Sequence, residues 1–405
     1  MKILQINGYE SPGRRFHGLS ITPILKKYGI ESKHLVWTKD TQDPEVLTFE
    51  DIIPRKINQI LQLIEKQTSL QSILYRNVPK IIKMPTFQEA DLIHLHIIHS
   101  GYFSISDLSM ITDLKPTIWT LHDPWAMTGH CIHPFECKRW MIGCGECPDL
   151  TIPFPLKKDN TKLLFDYKRQ AYKNAKFELV VASKWMYDMV KLSPLFEEVS
   201  VHQIPFGLDL KFFSPDVAPK ARKQFGISED MLVICFRSDD NPFKGLQHII
   251  QALEKIETKQ PVCLLTLGSN YNLLKKFENR FKIINLGWIN NEETIRNALV
   301  ASDIFLMPSI AESFGMMAVE ALACSKPVIV FDKTALPEVV YAPEVGISVP
   351  LNDSEALYQA LQNLIDNPNE RAERGKKGRE IAELYYNEET QAKHLAELYK
   401  NIVNK

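Results

Sequence analysis

The stretch that decides the fold spans residues 307–327 and reads MPSIAESFGMMAVEALACSKP. A short apolar run ends at Met307, and the serines and glycine that follow are typical of a loop leading into a helix near Phe314. We expect Glu312 just outside the helix N-terminus and Glu320 about two turns into the helix. Free backbone N–H groups at a helix start bind anions. The stretch therefore predicts an anion site flanked by two carboxylates.

The two carboxylates leave two interpretations open. Ionised carboxylates accept hydrogen bonds strongly, which suits the hydroxyl groups of a ribose and of a sugar. Gly315 would also let a bound anion approach the main chain closely. Alternatively, Glu312 is a capping residue and Glu320 is a solvated charge on the helix surface. The spacing alone does not decide between them.

The alternation of a short apolar run and a helical segment recurs along the chain. Nearly continuous apolar runs between amphipathic helices are typical of buried parallel strands, so we predict an α/β protein with doubly wound, Rossmann-like sheets. The predicted strands are residues 1–6, 92–98, 117–121, 178–182, 201–205, 232–236, 262–267, 282–286, 304–307 and 327–331.

Length and composition limit the possibilities. At about 150 residues per domain, 405 residues suggest two domains. Lys and Arg total 48 and Asp and Glu total 49, which argues against a chain that coats nucleic acid. The uncharged stretch 92–106 is too short and too rich in histidine to span a bilayer. The N-terminus turns polar at once, so we expect no secretory signal, and the seven cysteines are expected as thiols or metal ligands.

Residues 201–215, VHQIPFGLDLKFFSP, contain two prolines and a glycine and predict the domain boundary. We expect one Rossmann-like domain over residues 1–205 and a second over 206–385. Residues 386–405 are expected to form a helix that packs back on the first domain.

The segment of residues 39–90 is harder to interpret. Ile57, Ile60, Leu61 and Ile64 have helical spacing, and a further helix is expected to begin within residues 70–75. Ordinary packing of these helices against the domain is the favoured interpretation, and a lid over a cleft is the alternative.

Two further segments extend the pattern of residues 307–327: residues 181–185 read VASKW and residues 204–209 read IPFGLD. Together these motifs resemble the retaining glycosyltransferases of family 4, which have the GT-B fold of two Rossmann-like domains facing a central cleft. The resemblance implies transfer of a sugar from a nucleotide-sugar donor to a glycan or lipid-linked acceptor in cell-surface polysaccharide synthesis. It also implies a cytoplasmic location with a peripheral contact at the inner membrane face.

The resemblance places the donor in the second domain. Arg237 ends a predicted strand and Lys244 precedes a helix, where the two cations would hold a diphosphate; the alternative is ordinary surface cations. No Asp-x-Asp metal clamp is apparent, so no cofactor is expected for catalysis. The implied donor-binding residues are Arg237, Lys244, Glu312, Ser313, Phe314, Gly315 and Glu320. The implied catalytic residues are His122, Glu312, Arg237 and Lys244.

In the first domain, a predicted strand ends at His122 and Asp123. The resemblance places His122 against the donor sugar, and Asp123 could orient its ring by accepting a hydrogen bond; a structural histidine is the alternative. Gly8, the loop of residues 13–18 with Gly18, and Asp123 are expected on the acceptor side.

Four cysteines, Cys131, Cys137, Cys144 and Cys147, lie in a loop of residues 130–148. Such a set can close a tetrahedral zinc site, with His130 and His133 as rival ligands. Reduced thiols in a packed loop, or disulfides, are the alternatives. Similar Cys-rich loops occur in the exopolysaccharide-type subgroup of the family.

Three positions depart from the family pattern, which has glycines there. Ser325 would cost about 1 kcal/mol if it follows the helix in a left-handed conformation. Thr334 and Ala335 replace a Gly-Gly turn, although their amides and that of Leu336 are expected near a phosphate. Three other functions stay open: a nucleotide-sugar epimerase on the same architecture, a non-catalytic sugar-nucleotide or glycan-binding protein, and a zinc hydrolase using residues 94–147.

Overall fold

The structure is a computed structural model that describes residues 1–10, 18–49, 55–152 and 155–405. It forms two compact units: Met1–Pro205 with Glu389–Lys405, and Phe206–Glu388. Each unit contains a parallel sheet flanked by helices, which confirms the prediction of two Rossmann-like domains. Residues 13–17 of the loop predicted on the acceptor side lie outside the described residues.

The first unit is built on a seven-stranded parallel sheet in the order β3-β2-β1-β4-β5-β6-β7. The order reverses between β1 and β4, and ligands of such sheets bind outside the carboxyl ends of the strands at this reversal. The strands are β1 (Lys2–Tyr9), β2 (Glu31–Thr38), β3 (Val46–Thr48), β4 (Leu92–Leu95), β5 (Thr117–Leu121), β6 (Glu178–Val181) and β7 (Val201–Gln203).

Within the described part of this unit, seven α-helices connect these strands. They are α1 (Thr22–Lys27), α2 (Arg55–Thr68), α3 (Val78–Ile81), α4 (Pro85–Glu89), α5 (Leu108–Thr112), α6 (Thr161–Lys173) and α7 (Lys184–Leu192). The helix expected to begin within residues 70–75 is absent. Instead, Ser69 and Ser72 adopt left-handed conformations with φ of 59° and 54°. The buried carboxylate of Glu65 accepts a hydrogen bond from the Ile73 N–H at 3.0 Å, which holds this segment in an irregular turn.

Helix α2 forms where the sequence predicts it, but the expected packing of its apolar side is wrong. Ile57, Ile60 and Ile64 are exposed, whereas Asn58 and Glu65 are buried. The helix therefore turns its polar side toward the unit and its apolar side outward.

The second unit contains a six-stranded parallel sheet in the order β10-β9-β8-β11-β12-β13. The strands are β8 (Leu232–Arg237), β9 (Val262–Leu267), β10 (Lys282–Asn285), β11 (Ile304–Met307), β12 (Val328–Phe331) and β13 (Ile347–Val349). The helices are α8 (Ala218–Gln224), α9 (Leu246–Lys255), α10 (Glu292–Ala301), α11 (Met316–Ala323), α12 (Leu336–Val339), α13 (Ser354–Asp366) and α14 (Pro368–Tyr385). Nearly all side chains of the four central strands are buried, because helices cover both faces of a parallel sheet.

The last helix, α15 (Glu388–Val403), closes the core of the first unit. Leu395 and Ile402 pack in one cluster with Ile3 and Leu92 of the central strands. The Tyr399 hydroxyl also lies 2.7 Å from Nδ1 of His94 inside the sheet. Among the described residues, every helix is too short or too polar to cross a membrane.

The end of α11 carries the strain expected of Ser325. Ser325 has φ of 59°. Its N–H donates to the Leu322 carbonyl, and the N–H of Lys326 donates to the Ala321 carbonyl, both at 2.9 Å. This is the hydrogen-bond pattern of a helix end that favours glycine at the left-handed position.

We therefore expect Ser325→Gly to stabilise the second unit by up to about 1 kcal/mol, because glycine adopts positive φ without steric cost. In a unit of this size that gain raises the unfolding midpoint by roughly 2–4 °C, measurable by differential scanning calorimetry. Ser325→Ala keeps the strain and is the control. Equal midpoints for the two variants would contradict the assignment of strain to this residue.

Candidate active site

The ends of two adjacent strands bring Lys244 and Glu312 together. Lys244 lies in a short 3₁₀ turn, Pro242–Lys244, after β8, and Glu312 lies in the loop after β11. Because β8 and β11 are parallel neighbours, their carboxyl ends meet at one edge of the sheet. Lys244 Nζ donates to Glu312 Oε2 at 2.8 Å, and each side chain is 19% exposed. Two residues predicted from separate motifs thus form one partly accessible ion pair.

Two glycines make this arrangement possible. Gly245 has φ of 73°, and a Cβ there would lie 2.0 Å from the carbonyl oxygen of Pro308. Gly315, with φ of 97°, precedes the first turn of α11, and a Cβ there would lie 2.4 Å from Cδ2 of Leu336. The Pro308 main chain therefore leaves no room for a side chain at position 245, and the positive φ and the Leu336 side chain disfavour one at position 315.

The structure argues against the non-functional interpretations of both carboxylates. Gly315, without a side-chain cap, occupies the N-cap position of α11, so Glu312 does not cap this helix. Glu320 is 1% exposed and is not a solvated surface charge. Phe314 is buried and makes edge-on contacts with Phe206 and Tyr386, at centroid distances of 5.1 and 5.8 Å. Phe314 thus has a packing role in the unit.

Arg237 forms an ion pair with Asp239. Its Nη2 donates to Oδ2 of Asp239 at 2.5 Å, and its guanidinium lies 5.8 Å from the ring centre of Trp288. Asp239 Oδ1 in turn accepts from the N–H of Asn241 at 2.7 Å. The described contacts therefore join Arg237 to Asp239, whereas Lys244 is joined to Glu312. The role of Arg237 stays a prediction.

In the turn that has Thr334 and Ala335 in place of Gly-Gly, backbone N–H groups donate hydrogen bonds within the protein. The Ala335 N–H donates to the Glu312 carbonyl and the Leu336 N–H donates to Thr334 Oγ1, both at 3.2 Å. These two amides donate within the protein, and their expected contact with a phosphate stays a prediction. The amide of Ala335 fixes the backbone of Glu312.

In the first unit, His122 belongs to a chain of polar side chains across three strands. Its Nε2 lies 3.0 Å from Nδ1 of His96, which follows β4. His96 Nε2 lies 2.8 Å from Oε1 of Gln5 in β1, and Gln5 Nε2 donates to Ser32 Oγ at 2.8 Å. Because the Gln5 oxygen can only accept, His96 donates from Nε2 and accepts at Nδ1. His122 therefore donates from Nε2.

Burial keeps this histidine neutral. Burial lowers the pKa of His122 to about 4, although the charge of Asp123 opposes the shift. Burial also lowers the pKa of His94, within the same sheet, to about 3. A neutral His122 that donates from Nε2 has its lone pair on Nδ1. The ring can therefore accept a hydrogen bond at neutral pH.

The expected partner of Asp123 is not the one that the structure gives. Asp123 Oδ2 lies 3.2 Å from Nε2 of His99, and its Oδ1 accepts from the Trp125 N–H at 2.9 Å. Burial alone would raise the pKa of Asp123, but the charge of His99 and the hydrogen bonds outweigh burial and lower it. Asp123 orients His99, while His96 is the hydrogen-bond partner of His122.

The two predicted acceptor-side glycines adjoin this region. Gly8, in β1, faces Ser100, and a Cβ there would lie 2.8 Å from the Ser100 Cβ. Gly18 has φ of 79°, and its Cβ would lie 2.8 Å from Oε1 of Gln5. Both positions are tightly packed, and Gly18 borders the polar chain that includes His122.

The cysteine-rich loop surrounds a small pocket. A cavity of about 20 Å³ is lined by Cys131, Cys137, Cys144, Cys147 and His130. All four cysteines are free, which excludes the disulfide alternative in this structure, and burial raises the pKa of Cys131 to about 12 and of Cys144 to about 11. Across the described ranges, no three His, Cys, Asp or Glu side chains are arranged to hold a metal ion. As placed, these residues fit protonated thiols, and the zinc site stays a prediction.

The sequence motifs did not identify His96, Gln5 and Gly245. His94 and His96 alternate at the end of a predicted strand next to the one that ends at His122. Since parallel strands align their carboxyl ends, that alternation was a usable signal. Gly245 carried a weaker one, because a glycine directly after Lys244 at a helix start suggests a left-handed turn.

Comparisons with known proteins agree with this architecture. Residues 217–381 match the sequence model of the family described as glycosyl transferases group 1. WcaC of Escherichia coli, named as a provisional colanic acid biosynthesis glycosyl transferase, is 24% identical over 320 residues, which cover 73% of this chain and 75% of WcaC. A D-inositol 3-phosphate glycosyltransferase from Arthrobacter is 23% identical over 396 residues, which cover 92% of this chain and 86% of the relative.

A solved structure shows the same fold over the whole chain. HepE of Anabaena, determined in complex with UDP and glucose, superposes with a TM-score of 0.67 at 18% identity. The match covers 99% of this chain and 100% of HepE.

Two histidines, the buried His94 and the partly buried His122, predict a pH dependence of stability. His94 and His122 have pKa values below the unfolded value of about 6.5. Below pH 6.5 the unfolded chain therefore binds protons that the folded chain does not, and stability falls as the pH falls toward 4. Between pH 7 and pH 5 each histidine removes about 2 kcal/mol at most from the free energy of unfolding.

Urea unfolding followed by tryptophan fluorescence tests this, because five of the six tryptophans lie in the first unit. His94→Gln should reduce the loss between pH 7 and pH 5 by about 2 kcal/mol at most. His202→Gln, at a half-buried histidine of the same unit, is the control. An unchanged loss in His94→Gln would show that His94 is protonated in the folded chain.

Proposed function

Since this chain is a GT-B glycosyltransferase of the family 4 type, we propose that it transfers a sugar from a nucleotide-sugar donor to a glycan or lipid-linked acceptor with retention of configuration. The observation that carries the proposal is the Lys244–Glu312 ion pair beside Gly315 and the start of α11. A cation, a carboxylate and helix amides at one sheet edge match the charges and hydroxyl groups of a sugar diphosphate.

The proposal gives each group a separate task. Lys244 supplies positive charge to the diphosphate, aided by the backbone amides of the first turn of α11. Glu312 accepts hydrogen bonds from hydroxyl groups of the donor sugar, and Glu320 accepts from the ribose. The HepE structure contains UDP and glucose, which supports a nucleotide-sugar donor for a chain of the same fold.

Negative charge develops on the diphosphate during transfer. The bond between the anomeric carbon and the diphosphate oxygen breaks, and the acceptor oxygen bonds to the same carbon. The acceptor proton passes to the departing diphosphate. A cation fixed before the reaction stabilises the growing charge without reorganising at the transition state. In the structure Glu312 fixes the Lys244 cation, because its Oε2 accepts a hydrogen bond from Lys244 Nζ at 2.8 Å.

The His122–His96–Gln5 chain supports a role for His122 as a neutral group that accepts a hydrogen bond from a sugar hydroxyl at Nδ1. The cell-surface part of the proposal rests on resemblance to WcaC, which is named for colanic acid biosynthesis. We propose the same class of acceptor here, with the chain working at the cytoplasmic face of the membrane.

We expect Lys244→Gln to weaken binding of a nucleoside diphosphate roughly 10- to 100-fold, because a hydrogen bond between charged groups contributes about 1.5–3 kcal/mol. Calorimetric titration with UDP, GDP and ADP identifies the preferred base in the wild type. Binding of the matching monophosphate should change much less, since the monophosphate lacks one of the two phosphates.

A second ion pair of the same unit supplies the control. Lys255 Nζ lies 2.5 Å from Glu355 Oε2 on the exposed surface between α9 and α13. Lys255→Gln removes an equal charge and should leave diphosphate affinity unchanged. Equal affinities for Lys244→Gln and wild type would refute the assignment of the diphosphate to Lys244.

Glu312→Gln should separate binding from reaction. We expect a fall in kcat of at least about tenfold, measured as nucleoside diphosphate release from the preferred nucleotide sugar, because the amide accepts sugar hydroxyls more weakly and no longer fixes Lys244. Affinity for the diphosphate itself should stay equal or increase, because Lys244 loses a competing partner. Glu355→Gln is the matched control, and parallel losses of affinity and kcat would contradict the assigned role.

Requirement for an acceptor distinguishes transfer from epimerisation. Product analysis of the sugar should show a new glycoside only when an acceptor is present. Conversion of the nucleotide sugar to an epimer without an acceptor would instead identify an epimerase.

A further inference from the structure

Helix α2 exposes a row of large aliphatic side chains. Ile57, Ile60, Leu63 and Ile64 are 53%, 56%, 63% and 43% exposed. The isoleucines recur at i, i+3 and i+7, so they lie on one side of the helix, with Leu63 beside them. We call these four residues the α2 apolar surface. A folded chain in water gains nothing from presenting such a surface to solvent.

Polar contacts on the opposite side fix the helix in this orientation. Asn58 Oδ1 accepts from Nδ2 of Asn77 at 3.4 Å, and Asn58 Nδ2 donates to the Gly101 carbonyl at 3.5 Å. Glu65 Oε1 accepts from the Ile73 N–H at 3.0 Å, and Glu65 is 9% exposed. Rotating α2 to bury its isoleucines would break these contacts. The outward direction of the α2 apolar surface is therefore a property of the fold.

The described charges around the α2 apolar surface are mostly positive, and Asp159, beside Lys158, is an exposed acidic exception. Lys56 and Lys66 are exposed on the helix, and its only acidic residue, Glu65, is buried on the other side. Ser69 Oγ, just beyond the helix, accepts from the backbone N–H groups of residues 157 and 158 at 2.8 and 3.0 Å. That contact brings Lys157 and Lys158, which are also exposed, to the same end of the helix.

We propose that α2 is a membrane-contacting helix that lies on an anionic lipid surface, with the α2 apolar surface among the acyl chains and the four lysines at the headgroups. An interfacial helix combines an apolar side with flanking cations, and both are present here. A second copy of this chain fits less well, because a self-complementary contact would bring the same lysines together. An anionic lipid surface would accommodate both the apolar side chains and the lysines.

This contact goes beyond sugar transfer, and its test needs neither donor nor acceptor. If the proposed function also holds, α2 would keep the first unit beside a lipid-linked acceptor. A failure of the membrane contact would leave the assignment of Lys244 and Glu312 untouched, and the reverse is equally true.

Flotation of the full chain with vesicles tests the proposal. We expect the wild type to partition at least about tenfold more strongly onto phosphatidylcholine vesicles containing phosphatidylglycerol than onto phosphatidylcholine alone. Ile60→Asp/Leu63→Asp should reduce partitioning onto the anionic vesicles at least about a hundredfold, because two buried aliphatic groups are lost and two negative charges are added. Lys56→Gln/Lys66→Gln should reduce it roughly twentyfold.

Leu114→Asp/Leu192→Asp is the matched control, since both leucines are in the first unit and are 53% and 56% exposed. It should float like the wild type. Circular dichroism melting curves, expected to be equal for all variants, verify folding. Three outcomes would overturn the proposal: a wild type that floats with neither vesicle, equal losses in the control, or a dimer in sedimentation that Ile60→Asp/Leu63→Asp abolishes without any vesicle binding.

Discussion

The second unit depends on the close approach of two backbone segments at the carboxyl edge of its sheet. The turn after β8 packs against the segment after β11 so tightly that only glycine fits at position 245, and the Ile310 N–H donates to the Phe243 carbonyl at 2.9 Å. This contact sets the separation of Lys244 and Glu312, which follow the two strands. The polar edge is therefore fixed by the main chain, and its charges need little reorganisation when an anion binds.

Most strands could be predicted because a parallel sheet covered on both faces requires continuous apolar runs. All ten predicted strands are present, with small differences at their ends. The missed strands lack this signal. In the first half of β2, Glu31 and Lys33 alternate with Ser32 and His34, which lie inside the protein and contact Gln5, so the apolar run of this strand is short. β3 and β13 have three residues each, too few for any periodicity to emerge.

The candidate site was predictable where a motif lies within one segment. Glu312, Gly315 and Glu320 share one strand–loop–helix unit, and Lys244 lies in the turn between a neighbouring strand and the next helix. The contact between His122 and His96 was not predictable in the same way, because it depends on which strands become neighbours. The sequence neighbour Asp123 was the natural candidate to orient His122, but the main chain turns between them and directs the Asp123 carboxylate to His99 and the Trp125 amide.

Helix α2 shows what periodicity can and cannot establish. An apolar repeat identifies a helix and one of its sides, but the repeat is the same whether that side meets a protein core or a lipid surface. The decision lies in the opposite side, where Asn58 and Glu65 find hydrogen-bond donors and acceptors in the unit's own backbone and side chains. Burying a polar group is costly unless it is paired. The paired polar groups on the inner side therefore hold the helix in this orientation. The isoleucines do not outweigh them, and the aliphatic surface stays exposed in the folded chain.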